Sequence, residues 1–368
     1  MLRKLHPYAI SLINIEVKSL LKRIISAILA VIIGVSFTSC GGNKTKTRYE
    51  AEFLGLFDTL TKIVGYSDSK DEFTKYSQLI HDSLQEYNDD YDIYNDYPGI
   101  NNIKTINDNA GIKPVKVDKK IIDLLVLAKE EYKDTNGTLN VAMGAVLSIW
   151  HKYREEGLKD EENAVLPPMD QLKEAAKHID INKVIIDKEN STVYLEDKLM
   201  SLDVGGIGKG YATEQVAQIA MKSGFTSGVL SVGGNIRAIG SKGDKGEKWN
   251  LGVQNPDKES AQTTLCTLEF TDASLVTSGD YERYYTVDGK EYNHIIDPNT
   301  LYPAEYYHSV TILTKDSGLA DARTKPLFIL PFEEAKKYIE SLPGTEAMWV
   351  MKNGEIRYSD HFQDYIKK

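Results

Sequence analysis

A run of ten residues, 202–211, most constrains how this chain can fold. It reads Leu-Asp-Val-Gly-Gly-Ile-Gly-Lys-Gly-Tyr and joins a predicted strand at 193–202 to a predicted helix at 211–222. Glycines at such a passage let the backbone take positive φ and let a ligand approach closely. The helix start offers unpaired N–H groups and a positive dipole end, which suit a phosphate. Lys209 adds a cation and Asp203 an acceptor for ribose or base groups, so the run predicts a site for a phosphate-bearing nucleotide.

The glycine spacing does not settle this prediction alone. The pattern G-G-x-G-x-G differs from the dinucleotide fingerprint G-x-G-x-x-G, and the lysine is not followed by the Ser or Thr of a P-loop. A tight corner whose glycines only relieve crowding is the alternative, and the run by itself leaves both interpretations open.

The charge of the chain is unevenly distributed. The 368 residues carry a net charge of −10, whereas residues 1–39 hold five basic side chains against one acidic and are net +4, so the remainder stands at −14. An acidic body excludes nucleic acid as a partner and makes phosphate binding a matter of local placement.

Residues 1–39 have the pattern of a secretory signal. Lys22 and Arg23 precede an apolar run at 24–37, which is short for a membrane span, and the sequence Thr-Ser-Cys-Gly-Gly follows. The small residues before Cys40 resemble a bacterial lipobox, with Phe37 in place of the usual leucine. The pattern predicts a lipoprotein exported and anchored at a membrane through acylated Cys40, on the periplasmic or outer face. An uncleaved anchor helix is the alternative. Residues 40–49 are expected to be a polar tether.

The remaining pattern predicts an α+β fold with mixed or antiparallel sheets and flanking helices. Helices are expected at 72–92, 119–136, 169–178, 211–222, 318–328 and 331–341, and residues 152–168 are expected to be irregular. Strands adjoin in hairpins and helices come in pairs, without the regular alternation of a parallel sheet.

Four further segments carry candidate chemistry. Gly-Gly-Asn at 233–235 lies between two strands, and a hydroxyl, two acids and an arginine follow a strand at 278–283. His294 is a candidate general base, with Asp297 three residues later to set its tautomer; a histidine satisfied by backbone hydrogen bonds is the alternative. Asp321 is placed in the first turn of a helix, where a carboxylate can bind a cation or simply complement the helix dipole.

Taken in order, these segments resemble the ApbE family of FAD:protein FMN transferases. The matching motifs are D-x-G-G-I-x-K-G-Y-A, V-G-G-N, T-S-G-D-Y-E-R, H-I-I-D-P and A-D-A. The resemblance extends from about Phe53 to the C-terminus and assigns residues 50–368 to one ApbE-like domain with two subdomains.

The resemblance implies a function and its residues. Members bind FAD and, with Mg²⁺, transfer its FMN half to a Thr or Ser hydroxyl of an exported flavoprotein, releasing AMP. The acceptor lies in a motif Asp-x-x-(Ser/Thr)-Gly-Ala-(Ser/Thr). By matching positions, His294 and Asp297 would be catalytic, and Asp321 and the Gly206 carbonyl would bind the metal. FAD would be bound by Phe57, Tyr94, Ala142, Met143, Gly144, Asp203, Lys209 and Ile296.

Two departures from the family pattern concern the metal and the turn after His294. Lys325 stands where the family has a threonine that binds the metal, and Pro326 is expected to disturb the helix there. Thr324 would replace that threonine only in a distorted helix. Leu301 stands in place of a glycine. An FAD pyrophosphatase and an FAD-binding lipoprotein without catalysis are therefore the alternatives to a transferase.

Overall fold

The computed structural model describes residues 45–368 and is dominated by antiparallel sheet. The strands are β1 (Thr47–Leu54), β2 (Leu60–Ser67), β3 (Val115–Lys116), β4 (Val184–Asp187), β5 (Thr192–Leu195), β6 (Gly228–Val232), β7 (Asn235–Ile239), β8 (Trp249–Gln254), β9 (Thr264–Phe270), β10 (Ser274–Gly279), β11 (Tyr284–Val287), β12 (Lys290–Asn293), β13 (Tyr307–Thr314), β14 (Glu346–Met351) and β15 (Ile356–Tyr358). The large sheet has the order β1-β2-β6-β7-β10-β13-β14-β15. A smaller sheet has the order β3-β5-β4, and β8–β9 and β11–β12 form separate hairpins.

The helices surround these sheets. They are α1 (Lys70–Tyr91), α2 (Ile103–Asp108), α3 (Lys119–Asp134), α4 (Gly144–Lys159), α5 (Met169–Ala175), α6 (Gly208–Lys222), α7 (Ser317–Ile329) and α8 (Phe332–Glu340). Helix α6 packs on β6 and β7, α7 packs on β10 and β13, and the two helices also pack against each other. This pair brings the glycine run and the predicted metal ligand to one face of the large sheet.

Both faces of the large sheet are covered at β13, which explains why every residue of this strand except His308 is buried. On one face, Val310 and Ile312 of β13 join the buried side chains of α7 and α8. On the other face, Leu313 packs with Trp249 and Phe270 of the β8–β9 hairpin. The buried Ser309 and Thr311 show that burial on both faces does not require an apolar run here.

The predicted α+β class is confirmed, with antiparallel pairing throughout the large sheet. The tether prediction is too long, because β1 begins at Thr47 and Tyr49 is only 7% exposed, stacked on Phe73. The predicted signal segment and Cys40 lie outside the described residues. Within residues 45–368, the helices are all too short or too polar to cross a membrane.

Two segments differ from the sequence-based expectation. Helix α4 continues to Lys159, so the charged stretch after residue 151 is partly helical and not irregular. Residues 193–202 do not form one strand, since β5 ends at Leu195 and Ser201 forms only an isolated bridge with Met143.

Helix α7 begins earlier and ends later than expected. Asp316 caps it by accepting a hydrogen bond from Leu319 N, so the first helical residue is Ser317. Asp321 therefore lies beyond the first turn, which corrects its predicted placement. The helix also runs through Pro326 to Ile329, and Leu330 N donates to Pro326 O at 2.9 Å. The expected disturbance at Pro326 does not end the helix.

Candidate functional site

The centre of the site is the carboxylate of Asp321, which is 3% exposed. Oδ2 accepts hydrogen bonds from Gly210 N at 2.8 Å and from Asn235 Nδ2 at 3.0 Å. Oδ1 forms an ion pair with Lys325 Nζ at 2.7 Å. These contacts join α6, the β6–β7 turn and α7 around one buried negative charge. Hydrogen bonds from donors to a carboxylate compensate the cost of burying it.

The glycine run makes this contact possible, although it does not serve as a free phosphate loop. Gly205 N donates to Asp203 Oδ1 at 2.9 Å, Gly208 N to Val204 O at 2.7 Å, and Gly210 N to Asp321. These three amides already have partners within the protein. A Cβ on Gly210 would lie 2.5 Å from Ser317 O and closer still to Asp321 Cβ. The glycine at 210 is therefore required by the close approach of α6 to α7.

Lys209 provides a cation beside Asp321. Its Nζ donates to Gly233 O at 3.0 Å, in the turn between β6 and β7. Burial lowers the pKa of the Lys209 ammonium, Asp321 raises it, and the positive charges of Lys325 and Arg283 lower it further. The ammonium is poorly solvated and close to other cations. An anionic ligand would therefore compensate for the lost solvation and reduce the repulsion between the cations.

Lys325 lies in what we call the Asp321 pocket, formed by Asp321, Thr324 and Ser278. Its Nζ is 2.7 Å from Asp321 Oδ1, 3.1 Å from Thr324 Oγ1, and 3.3 Å from both Ser278 Oγ and Asp321 O. The pocket closes on itself, because Ser278 Oγ donates to Thr324 Oγ1 at 2.8 Å and Thr324 Oγ1 to Asp321 O at 2.7 Å. Thr324 thus reaches the pocket without a break in the helix.

The pocket does not fit the implied Mg²⁺ in this arrangement. The carboxylate oxygens of Asp321 are engaged by the Lys325 ammonium and by two N–H donors. Gly206 lies against the Lys325 stem, where a Cβ would be 3.5 Å from Lys325 Cε. Among residues 45–368, His, Cys, Asp and Glu side chains do not gather in threes, and Asp321 is the one carboxylate among the oxygens around Lys325 Nζ. The residues predicted to bind metal are brought together, with an ammonium between them.

His294 faces the same region and is neutral. Its Nδ1 lies 3.1 Å from Arg283 O, which assigns the proton to Nδ1 and leaves the Nε2 lone pair free. Burial lowers the pKa of His294 to about 3, and the charges of Arg283, Lys325 and Arg154 act in the same direction. Nε2 is therefore unprotonated at neutral pH.

The expected contact between His294 and Asp297 does not form. Asp297 Oδ1 accepts from Asn299 N at 2.8 Å and Asp297 N donates to Tyr302 O at 2.9 Å, so this carboxylate organises its own turn. The tautomer of His294 is set by the Arg283 carbonyl. Asp297 thus orders the loop after β12, and its catalytic role stays a prediction.

A second histidine links two of the predicted FAD residues. Tyr94 OH is 3.0 Å from His151 Nδ1, and His151 Nε2 is 3.9 Å from Asp203 Oδ2. Burial lowers the pKa of His151. A neutral His151 protonated on Nε2 accepts a hydrogen bond from the Tyr94 hydroxyl at Nδ1. The 60% exposed Tyr94 ring is thereby held at the edge of the site.

The other predicted FAD residues are mostly supporting residues. Ala142, Met143 and Gly144 are buried, and Gly144 N donates to Ser201 O at 3.0 Å. Ile296 is buried in the same cluster as Met143. These four residues can support the wall of a cleft, whereas the sequence predicted that they bind FAD directly.

Phe57 is half-buried at the tip of the β1–β2 hairpin with φ of 52°, and its N–H donates to Asn88 Oδ1 at 2.8 Å. A left-handed conformation in a bulky residue is strained. This places an aromatic ring at the end of the hairpin, and residues held in such strain cluster at functional sites.

Sequence reasoning missed His151 and Arg154, which lie on α4 and line a narrow cleft of about 10 Å³ with His294. Arg154 falls in the segment that was expected to be irregular, so the shared helical face at spacing i, i+3 was not considered. A larger cleft of about 370 Å³ lies between α1 and β3, and its lining includes Glu86, Asp90 and Asp118. Those carboxylates would repel a pyrophosphate, so the larger volume of this cleft does not make it the nucleotide site.

Comparisons with known proteins identify the family and the fold of this chain. The model of the ApbE family matches residues 57–349. The FAD:protein FMN transferase of Treponema pallidum is 29% identical over 360 residues, which are 93% of this chain and 95% of that protein. The ApbE protein of Thermotoga maritima superposes with a TM-score of 0.75 at 28% identity, over 88% of this chain and all of the other. The flavinyl transferase ApbE of Pseudomonas stutzeri shares the fold, with a TM-score of 0.72 at 18% identity over 88% and 98% of the two chains. With the family model spanning most of its length, this chain belongs to the ApbE family.

Proposed function

We propose that this protein transfers FMN from FAD to a Ser or Thr hydroxyl of an exported flavoprotein and releases AMP. Family membership and the names of similar proteins support the reaction class. One observation in the site carries the proposal: the half-buried Lys209 and the neutral His294 both lie close enough to Arg283 and Lys325 for these charges to lower their pKa values, in an otherwise acidic protein.

The pyrophosphate of FAD is the group that these positive charges would bind. Lys209 and Arg283 supply positive charge where burial strengthens electrostatic interactions. Binding a pyrophosphate would bring two negative charges next to His294 and raise its pKa from the low value of the free protein, making it a better base. Positioning and charge neutralisation are the main sources of catalysis in phosphoryl transfer.

The proposed step is a displacement at phosphorus. The acceptor hydroxyl oxygen forms a bond to the FMN-side phosphorus as the bond from that phosphorus to the bridging oxygen breaks. AMP leaves with the bridging oxygen, and the hydroxyl proton passes to His294 Nε2 and then to solvent. Nε2 is available because Nδ1 is engaged by the Arg283 carbonyl.

Tyr94, Phe57 and Asp203 are proposed to hold the flavin and adenosine ends of FAD. Tyr94 and Phe57 present aromatic surface at the rim of the site, and Asp203 offers a carboxylate acceptor beside His151. Aromatic faces stack on planar ring systems. Ala142, Met143, Gly144 and Ile296 are proposed to form the wall behind them.

A reconstituted reaction tests the proposal. The purified protein is incubated with FAD and an acceptor domain that carries the Ser/Thr-Gly-Ala-Ser/Thr motif, with and without Mg²⁺. Flavin fluorescence that stays with the denatured acceptor and disappears when its Ser or Thr is changed to Ala supports transfer. Free FMN with AMP would indicate a pyrophosphatase, and bound unchanged FAD would indicate a binding protein. Either of these results contradicts the proposal.

We further propose that the protein is exported and anchored through a lipid on Cys40. The support is the apolar run at 24–37 followed by the lipobox-like sequence. Metabolic labelling with a radioactive fatty acid is expected to label the wild-type chain and not Cys40→Ser. Equal labelling of the two, or recovery of both in the cytoplasmic fraction, contradicts this assignment.

A further inference from the structure

The Asp321 pocket has the donor atoms of a cation site, with a side-chain ammonium in the middle. A carboxylate, two hydroxyls and a backbone carbonyl surround Lys325 Nζ at 2.7 to 3.3 Å. Oxygen atoms of these kinds are the ligands that Mg²⁺ and Ca²⁺ take. The pocket is therefore suited to a cation, and the chain supplies one from its own helix.

Resting on the proposed function, we propose that the Lys325 ammonium is the built-in cation of this site and that the protein acts without a divalent metal ion. Lys325 and Asp321 are four residues apart on α7, so they lie on the same helix face. The Lys325 side chain is 17% exposed, and its stem packs against Gly206. The ammonium is thus held by packing as well as by charge.

Electrostatic repulsion decides against a metal ion beside this ammonium. A divalent cation bound to Asp321 Oδ1 would lie about 4 Å from a +1 charge that remained in place. Two cations this close repel each other strongly even at an effective dielectric constant near 20, and Asp321 would be the one carboxylate to offset that repulsion. A metal could enter only by displacing Lys325 from a buried carboxylate.

In this arrangement, residues other than Lys325 supply the positive charge that faces the pyrophosphate. Lys325 and Asp321 neutralise each other, so the positive potential at the pyrophosphate comes from Lys209 and Arg283. A metal on Asp321 would leave the pair with a net positive charge instead. The built-in cation therefore makes FAD binding depend on Lys209.

Binding of Mn²⁺, followed by electron paramagnetic resonance, tests the proposal independently of activity. The wild-type protein, stripped with EDTA and with FAD absent or present, is expected to leave the spectrum of free Mn²⁺ unchanged. Lys325→Thr is expected to gain one bound Mn²⁺, since a hydroxyl then replaces the ammonium. Lys325→Thr combined with Asp321→Asn is expected to lose it. Lys325→Arg is the matched control, because it keeps the charge and is expected to gain none.

The outcomes separate this proposal from the function on which it rests. One equivalent of Mn²⁺ bound by the wild type and lost in Asp321→Asn overturns the built-in cation, whether or not the variants fold well. Transfer that requires Mg²⁺ also overturns it and leaves the transferase function standing. Failure to bind FAD overturns the function, while the Mn²⁺ titration of the FAD-free protein still decides the cation.

Discussion

At the scale of single residues, His294 combines a fixed tautomer with neutrality at physiological pH. The Arg283 carbonyl fixes Nδ1–H, and burial together with the surrounding positive charges lowers the pKa and keeps Nε2 unprotonated. We expect His294→Gln to lower kcat for FMN transfer by about 10²- to 10⁴-fold, the usual contribution of a general base. The affinity for FAD is expected to change by less than about threefold, because the glutamine keeps a polar group without the proton-accepting nitrogen. Kinetics with the acceptor domain and an FAD fluorescence titration measure the two effects.

The same histidine predicts a pH dependence of stability. Its pKa is about 3 in the folded protein and near 6.5 in the unfolded chain, so only the unfolded state binds the proton between these values. The unfolding free energy of the wild type therefore falls as the pH drops from about 6.5 toward 4. His294→Gln lacks this contribution, and its stability is expected to fall less over the same interval. Urea denaturation of both proteins at several pH values compares them; parallel curves would show that the pKa is not depressed.

Residues inside glycine-rich or polar motifs could be identified from the sequence, whereas their partners could not. Lys209 and His294 both lie near Lys325, the ion-pair partner of Asp321, as the motif order suggested. Asp297 was assigned to His294 because the two are close in the chain, but nearby backbone N–H groups in the turn engage it first. Local hydrogen bonds of this kind depend on turn geometry, which spacing alone does not specify.

At the scale of elements, the packing of α6 on α7 depends on one glycine. A Cβ at position 210 would meet the backbone of Ser317 and the side chain of Asp321. We expect Gly210→Ala to lower the unfolding free energy by about 1–3 kcal/mol, although alanine favours helix, because overpacking outweighs propensity. Gly206→Ala is the matched control, since its Cβ would meet other atoms at 3.5 Å or more and its stability is expected to change by less than about 0.5 kcal/mol. Equal urea midpoints for the two variants would contradict the close packing.

Element types were largely predictable, and the departures have local causes. Asp316 caps α7 upstream of the expected start, which moved Asp321 away from the first turn. Leu301 has φ of 61°, a conformation that favours glycine, yet its side chain is 7% exposed and packs with Val146 and Trp150. The burial of a leucine, worth about 1.5–3 kcal/mol, offsets a left-handed backbone that costs roughly 1–2 kcal/mol. Tertiary packing of this kind is not visible in a local pattern.

At the scale of the whole molecule, four basic side chains gather in the site of an acidic protein. Residues 40–368 carry a net charge of −14, while Lys209, Lys325, Arg154 and Arg283 all act on groups in the site. At 0.15 M ionic strength the Debye length is about 8 Å, so the distant acidic surface is already screened and the local cations dominate. Composition alone predicted the negative net charge of residues 40–368. It could not predict that these four basic side chains come together, because they are far apart in the chain.

This charge distribution predicts how salt affects ligand binding. Raising the ionic strength from 0.15 to 0.5 M is expected to weaken FAD binding by about two- to threefold, a modest effect because the cations are partly buried and hence weakly screened. Riboflavin is the control ligand, since it carries the same ring system without phosphates and its affinity is expected to stay constant. Fluorescence titrations of both ligands at the two ionic strengths provide the measurement. An FAD affinity that rises with salt would show that the acidic surface, and not the local cations, controls binding.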